Sequence, residues 1–300
     1  IISNTMYKGV KSMSENNSPC WCGSGKAYSE CHLPIEKKIQ EYKEKGYEVP
    51  DLSMLKTPEQ IAGIKESCDI NTGVLDYVEQ HIKAGMSTED IDVMVYDYTV
   101  SHGAIPAPLN FMGFPKSCCT SVNEEVCHGI PDKSVILKSG DIINVDVSTI
   151  YKGYYSDASR MFMIGKVDKK KQDLVAITRE CLRIGIEAAK PWAFMGNIGA
   201  AIGNYAHKRG YSVVREFGGH GVGIEFHEEP FVCHVGKKNT GMLLVPGMIF
   251  TIEPMINMGK KDIYVDAAND WTALTIDGMP SAQWEHTVLI TEKGAVSLTY

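Results

Sequence analysis

Residues 143–162 read INVDVSTIYKGYYSDASRMF, two polar and apolar alternations flanking Tyr151, Lys152 and Gly153. Alternation of this kind predicts two strands, and a short connection containing glycine predicts the hairpin that joins them. The register decides what the hairpin can do. A two-residue turn at Lys152 and Gly153 pairs Asp157 with Ser148, on the strand face that also carries Asp146, and both carboxylates then point to one side. A three-residue loop would set them on opposite faces. Val145 and Val147 serve the other face, while Asn144 and Ser148 share that of Asp146. A polar stripe on a core hairpin reads as a site.

Three other stretches raise the same question. In SAQWEHTVLI, residues 281–290, Glu285 opens an apolar, β-branched run, and in MIFTIEPMI, residues 248–256, Glu253 stands amid apolar residues just before a proline suited to a strand end. A buried carboxylate is costly enough to require a partner or a metal. In EFGGHGVGIEFHEEP, residues 216–230, glycines flank His220 and are expected to let the backbone approach a ligand closely. The segment lacks the following helix that a phosphate loop requires. Two Asp, one His and two Glu form the oxygen-rich, nitrogen-assisted set expected for a pair of divalent cations. Such a pair activates water at neutral pH and fixes a substrate amine or carbonyl, which suits amide hydrolysis.

The rest of the chain is compatible with a large enzyme. Its 300 residues are 44% hydrophobic and 22% charged, an ordinary globular composition. A formal charge of −7 argues against a broad nucleic-acid footprint, and no long apolar run suggests a membrane span. Nine cysteines, an odd number, and no signal-like apolar segment predict reduced thiols and a cytoplasmic location. The chain opens on Ile1, which is not an initiator, and residues 1–19 read as a flexible leader. Residues 20–50 form a small cysteine-rich module with a charged, helical linker, and 51–300 the main domain. There Thr57 caps a helix with Pro58 in its first turn and Ile61, Ile64, Cys68, Leu75 and Val78 at near-helical spacing; a second helix spans about 87–103. Helices over 171–190 and 196–209 precede a second set of strand-like segments. Two helices followed by strands, twice, predict two pseudo-symmetric halves sharing a sheet.

From Thr57 onward, these residues resemble the type I methionine aminopeptidases. The motifs carrying the resemblance are FPKSCCTSVNEEVCHGIPD, INVDVSTIYKGYYSDASRMF, REFGGHGVG, FTIEPMI and SAQWEHT, in that order. The resemblance implies an α+β pita-bread fold, two pseudo-symmetric halves around a mainly antiparallel sheet. It implies removal of the initiator methionine from nascent polypeptide N-termini when the next residue is small, by metal-activated hydroxide attack on the peptide carbonyl. Two active-site ions, of Co, Mn, Fe, Zn or Ni, follow from it, with Asp146 on one, Asp157 and Glu285 bridging both, and His220 and Glu253 on the other. Glu253 would also carry the proton to the leaving amine. His128 and His227 match histidines that contact substrate and the tetrahedral intermediate. Phe111, Phe114, Cys119, Phe226 and Trp271 match the lining of the methionine pocket, with two Phe where many relatives carry Tyr, a change that alters pocket hydration and not the reaction class. An Xaa-Pro aminopeptidase of the same fold and a catalytically inactive binding protein are the competing expectations. The pocket pattern argues against the first and the intact ligand set against the second.

Residues 19–32, PCWCGSGKAYSECH, separately resemble the SEC-C zinc motif, also found at the tail of a protein-export ATPase, where it contacts a chaperone and ribosomes. Cys20, Cys22, Cys31 and His32 would bind one structural zinc, and Gly23 and Gly25 permit the tight turn that a C-x-C pair needs. So short and polar a segment has no core and needs a metal to fold. Residues 1–50 hold seven Lys against six Glu, in contrast to the acidic remainder. The partner expected of this module is therefore an anionic surface such as the ribosome, or a secretion chaperone. A monomer with no membrane and no specific nucleic-acid partner is expected.

Overall fold

Strand Ile142–Tyr151 pairs antiparallel with Tyr154–Met163 along its full length, from Ile142 opposite Met163 to Tyr151 opposite Tyr154. Only Lys152 and Gly153 remain for the turn. Both have positive φ, 51° and 83°, the mirrored turn whose twist matches that of the strands it joins. The two-residue register is the one the structure adopts, with Ser148 opposite Asp157.

The computed structural model describes residues 17–300, so residues 1–16 of the expected leader lie outside the described residues. The hairpin is part of a nine-stranded sheet. Along the chain its strands are β1 (Ile105–Pro106), β2 (Cys119–Val122), β3 (Ile142–Tyr151), β4 (Tyr154–Met163), β5 (Gly219–Gly221), β6 (Glu228–Val232), β7 (Ile249–Ile252), β8 (Glu285–Thr291) and β9 (Gly294–Ser297). They lie in the order β1, β3, β4, β8, β7, β5, β6, with β2 also on β3 and β9 on β8. All these pairings are antiparallel.

The described residues form five α-helices: α1 (His32–Glu44), α2 (Pro58–His81), α3 (Thr88–Ser101), α4 (Lys169–Ala188) and α5 (Gly196–His207). Thr57 and Ser87 open α2 and α3 through capping boxes, each side chain satisfying N–H groups that the first turn leaves free. The apolar stripe of α2, with Ile64, Cys68, Leu75 and Val78 fully buried, packs on the sheet beside Val145 and Val147. Each aliphatic buried in this way contributes about 1.5–3 kcal/mol. Ser67 and Asn71 share the buried face because they hydrogen-bond the Thr149 and Val147 carbonyls of β3. The second half repeats the plan, α4 and α5 covering a core that includes Phe250, Ile252 and Val288. Helices thus take one face of the sheet and leave Asp146 and Asp157 on the other. No helix among the described residues is long and apolar enough to cross a membrane.

The N-terminal segment differs from a free tether. Pro19 already bridges Ala27, so pairing begins inside the stretch read as leader. α1 packs Ile35, Ile39 and Tyr42 on the second core, the Tyr42 ring 6.2 Å from that of Phe194, and Leu243 N–H donates to the Glu48 carbonyl at 2.9 Å. The charged segment expected as a linker is docked through this one apolar stripe.

Candidate active site

The cross-strand rows set the site. Asp146 on β3 stands opposite Ser159 on β4, which in turn stands opposite Glu285 on β8, and Asp157 lies two residues along β4 in the next row of the same face. β8 also pairs with β7, His286 opposite Ile252, so one step further Glu285 meets Glu253 just beyond the strand. β5 lies on the far side of β7 and brings in His220, whose N–H donates to Thr251 Oγ1 at 3.0 Å. Five side chains from five strands or strand ends therefore converge.

Their donor atoms are close. One ligand atom each from Asp157, His220 and Glu285 lie within 4.8 Å of one another, and His220 Nε2 stands 3.6 Å from Asp157 Oδ2 and 3.8 Å from Glu253 Oε1. The His220 Nδ1 atom faces the Gly221 carbonyl at 2.9 Å; a proton there leaves Nε2 as the ligand atom. Ser148 donates to Asp157 at 2.8 Å, Thr251 to Glu253 Oε1 at 2.8 Å and Gln283 to Glu253 Oε2 at 3.3 Å, while Glu253 N–H donates to His234 Nε2 at 3.1 Å. Asp146 Oδ1 is buried and receives no donor.

Electrostatics describes a cluster short of positive charge. Burial, reinforced by the neighbouring carboxylates, pushes Asp146 and Glu285 well above the usual carboxylate range, and burial raises Glu253 to about 7. Burial lowers His220, but the Asp157 and Glu253 carboxylates outweigh it and hold the imidazole at about 9. No Lys or Arg is among the described residues that line the cavity. Four carboxylates with one imidazole, one carboxylate oxygen lacking any donor, fit divalent cations and little else.

All seven of these expected polar residues and all five expected pocket residues line one cavity of about 300 Å³. Cys119 pairs with Asp146 across β2 and β3, which sets the apolar pocket directly beside the carboxylates. Phe111 and Phe226 rings stand 4.8 Å apart, Phe114 and Trp271 5.1 Å. His227 sits between the groups, 4.3 Å from the His220 ring and 5.3 Å from that of Phe111. Burial, then the charge on His220, lowers His227 to about 4, and burial also lowers His128. His128 has φ 57°, a strained value for a residue of its kind.

One expectation is corrected. The two glycines directly beside His220 make room for neighbouring strands: a Cβ at Gly219 would stand 2.1 Å from the Thr251 carbonyl oxygen, and one at Gly221 2.2 Å from that of Glu229, while Gly218 alone of the group lines the cavity. The sequence reading also missed Cys127, Phe217, Phe231 and Met255 on the cavity wall and the supports Thr251, His234 and Gln283. Period-two spacing would have found Met255 beyond Glu253 and Gln283 before Glu285.

At the N-terminus, Cys20 Sγ lies 3.1 Å from His32 Nδ1 and Cys22 Sγ 3.7 Å from Cys31 Sγ, and the four ligand atoms fall within 4.8 Å of one another. Gly23 and Gly25 turn the chain between them with φ 73° and 75°.

Comparison with known proteins agrees with this geometry. The sequence pattern of the SEC-C motif matches residues 17–34, and that of metallopeptidase family M24 matches 62–292. A methionine aminopeptidase of Chlamydia trachomatis serovar D is 45% identical over 289 residues, 95% of this chain and 98% of the relative. The crystal structure of methionine aminopeptidase from Rickettsia prowazekii superposes with a TM-score of 0.81 at 42% identity, covering 82% of this chain and 99% of that one. The prolidase of Pyrococcus furiosus shares the fold at TM-score 0.66 and 25% identity, over 83% of this chain and 66% of that one. The chain belongs to metallopeptidase family M24 and, within it, to the methionine aminopeptidases.

Proposed function

We propose that the chain removes N-terminal methionine from nascent polypeptides when the following residue is small. The observation that carries this reading is the single cavity in which four carboxylates and an imidazole converge beside an aromatic and thiol wall. Asp146, Asp157, His220, Glu253 and Glu285 would hold two divalent ions, Asp157 and Glu285 shared between them; the donor set admits Co, Mn, Fe, Zn or Ni. Once bound, the ions supply Lewis acidity and a water acidic enough to react at neutral pH. Thr251 and Gln283 fix the Glu253 carboxylate in one orientation, from which it passes a proton to the leaving amine. His128 and His227, neutral at pH 7, offer an N–H to the scissile carbonyl oxygen as charge develops on it. Phe111, Phe114, Cys119, Phe226 and Trp271 take the thioether, a soft group suited to aromatic and sulfur surroundings.

Peptides beginning Met-Ala, Met-Leu, Leu-Ala and Ala-Pro test the reading. Met-Ala should be hydrolysed at least about 100-fold faster than the others, the scale on which an apolar pocket and a narrow neighbour discriminate. Preference for Ala-Pro would move the assignment to Xaa-Pro hydrolysis.

Cys20, Cys22, Cys31 and His32 would hold one structural zinc, and we assign the knot to recruitment, on the ribosome or a secretion chaperone, of a monomeric cytoplasmic enzyme. Nine cysteines, an odd number with three of them assigned to the zinc, suit a reducing compartment. Because α1 is docked, removing residues 1–50 would bare Trp192 and Phe194, so replacing both Cys22 and Cys31 by Ser is the cleaner probe. That variant should lose one zinc per chain and salt-sensitive cosedimentation with ribosomes or chaperone, and keep Met-Ala-Ser hydrolysis within about twofold, since the knot supplies no residue to the cavity. Undiminished cosedimentation would sink recruitment.

A further inference from the structure

Between β5 and β6 the chain leaves the sheet for residues 222–227, and the last two, Phe226 and His227, line the cavity. The loop is fastened from behind. Glu228, the first residue of β6, turns its carboxylate back under it, where Oε1 accepts the backbone N–H groups of Ile224 at 2.6 Å and Glu225 at 2.9 Å. Oε2 accepts from Lys56 Nζ. Only 3% of the Lys56 side chain is exposed, against 15% of Glu228. Lys56 is itself anchored: its N–H donates to the Gly247 carbonyl at 2.9 Å, and Leu55 bridges Met248 at the lead-in to β7, the strand that Glu253 follows. The loop passes close above, since at Gly223, with φ 139°, a Cβ would stand 2.4 Å from Ile64 and 3.5 Å from the Lys56 stem.

We propose that Lys56 and Glu228 form a latch that positions Phe226 and His227 for the substrate. Both are positioning residues, acting through the loop. Ile224 and Glu225 are exposed, so water would satisfy their N–H groups if the carboxylate were gone, and the fold would survive. What would be lost is fixed geometry, and misplacing a substrate-contacting group by about 1 Å costs on the order of 100-fold in rate. Lys56 without Glu228 would be a buried charge lacking its partner, which destabilises for a reason unrelated to the loop. Removing both charges together separates the two effects.

The kinetic half of this inference rests on the methionine aminopeptidase reading; the structural half does not. In the full-length, metal-loaded chain, Lys56→Met, Glu228→Met, the double variant and Lys56→Arg would be compared by amide hydrogen exchange over residues 222–227 and by kcat and KM on Met-Ala-Ser and Leu-Ala-Ser. Metal content and Tm would be measured alongside. In the double variant, exchange should quicken at least about tenfold and kcat/KM on Met-Ala-Ser should fall about 10- to 100-fold. The preference for Met over Leu should narrow, while metal content and Tm hold, and Lys56→Arg should restore most of the rate. Unchanged exchange overturns the latch, and so does a rate that falls only in step with Tm or metal content at an unchanged Met preference. A parent enzyme inert toward Met-Ala-Ser would instead defeat the substrate reading, and the exchange rates alone would then decide the latch.

Discussion

Replacing Asp157 or Glu285 by Ala is expected to strip the catalytic ions, lower kcat/KM on Met-Ala-Ser by about 1,000-fold or more, and leave one zinc in the N-terminal knot. The reason lies in the rows of the sheet. Asp157 stands between Ser148 and His220, and Glu285 between Ser159 and Glu253, so each is central to the cluster and neither has a neighbour able to replace it. Metal supplies several kcal/mol of transition-state stabilisation, and at 1.36 kcal/mol per decade its loss gives roughly three powers of ten. The fold should persist in either variant. Burial and mutual repulsion already push Asp146 and Glu285 up, so deleting Glu285 relieves its neighbours, and deleting Asp157 still leaves His220 the Glu253 carboxylate 3.8 Å away. The knot uses thiolates on a separate segment, so metal analysis distinguishes the two sites in one sample. Retention of both catalytic ions with full activity in either variant would defeat the shared-ligand assignment.

The residues that could be read in advance are those whose chemistry conflicts with their local pattern. Asp146 and Asp157 were legible because strand alternation and a two-residue turn fix which face each takes, and Glu253 and Glu285 because a carboxylate in an apolar run needs an explanation. The resemblance to a known family added the histidines and the aromatic wall, which periodicity alone would have left as core. The supports were hidden for a physical reason. Lys56 meets Glu228 across 172 positions of sequence, and His234 reaches Glu253 only because β6 runs into a loop beneath β7; neither pairing leaves a local trace. The docking of α1 did leave one, since Ile35, Ile39 and Tyr42 recur at helical spacing, but a surrounding run of Lys and Glu masks so narrow a stripe. The glycines beside His220 show the opposite error. Their presence was visible, but whether the space they free faces a ligand or the next strand depends on sheet order, which no short motif contains.

His227→Ala should lower kcat on Met-Ala-Ser by about 100-fold while metal content and Tm stay near those of the parent, the loss expected on removing one donor from a developing oxyanion. His227 lies in the cavity 4.3 Å ring to ring from His220, outside the set of side chains assigned to the ions. Burial alone already lowers its pKa, to about 4 in the metal-free chain, and bound cations would lower it further, so it is neutral at pH 7. A neutral imidazole donates one N–H without adding a second cation beside the metals, so it can follow charge as it forms on the substrate oxygen and gives little to the ground state. The effect should therefore fall on kcat more than on KM. His227→Gln, which keeps an N–H donor of similar reach, should recover part of the loss. His128→Ala should show the same pattern, since His128 stands across the cavity, its ring 5.1 Å from that of Phe217. Loss of both ions from either alanine variant would make these histidines ligands or ligand supports, and a fall in rate matched by a fall in Tm would make them structural. A kcat loss at full metal occupancy, partly restored by glutamine, is the signature that only a substrate-facing donor gives.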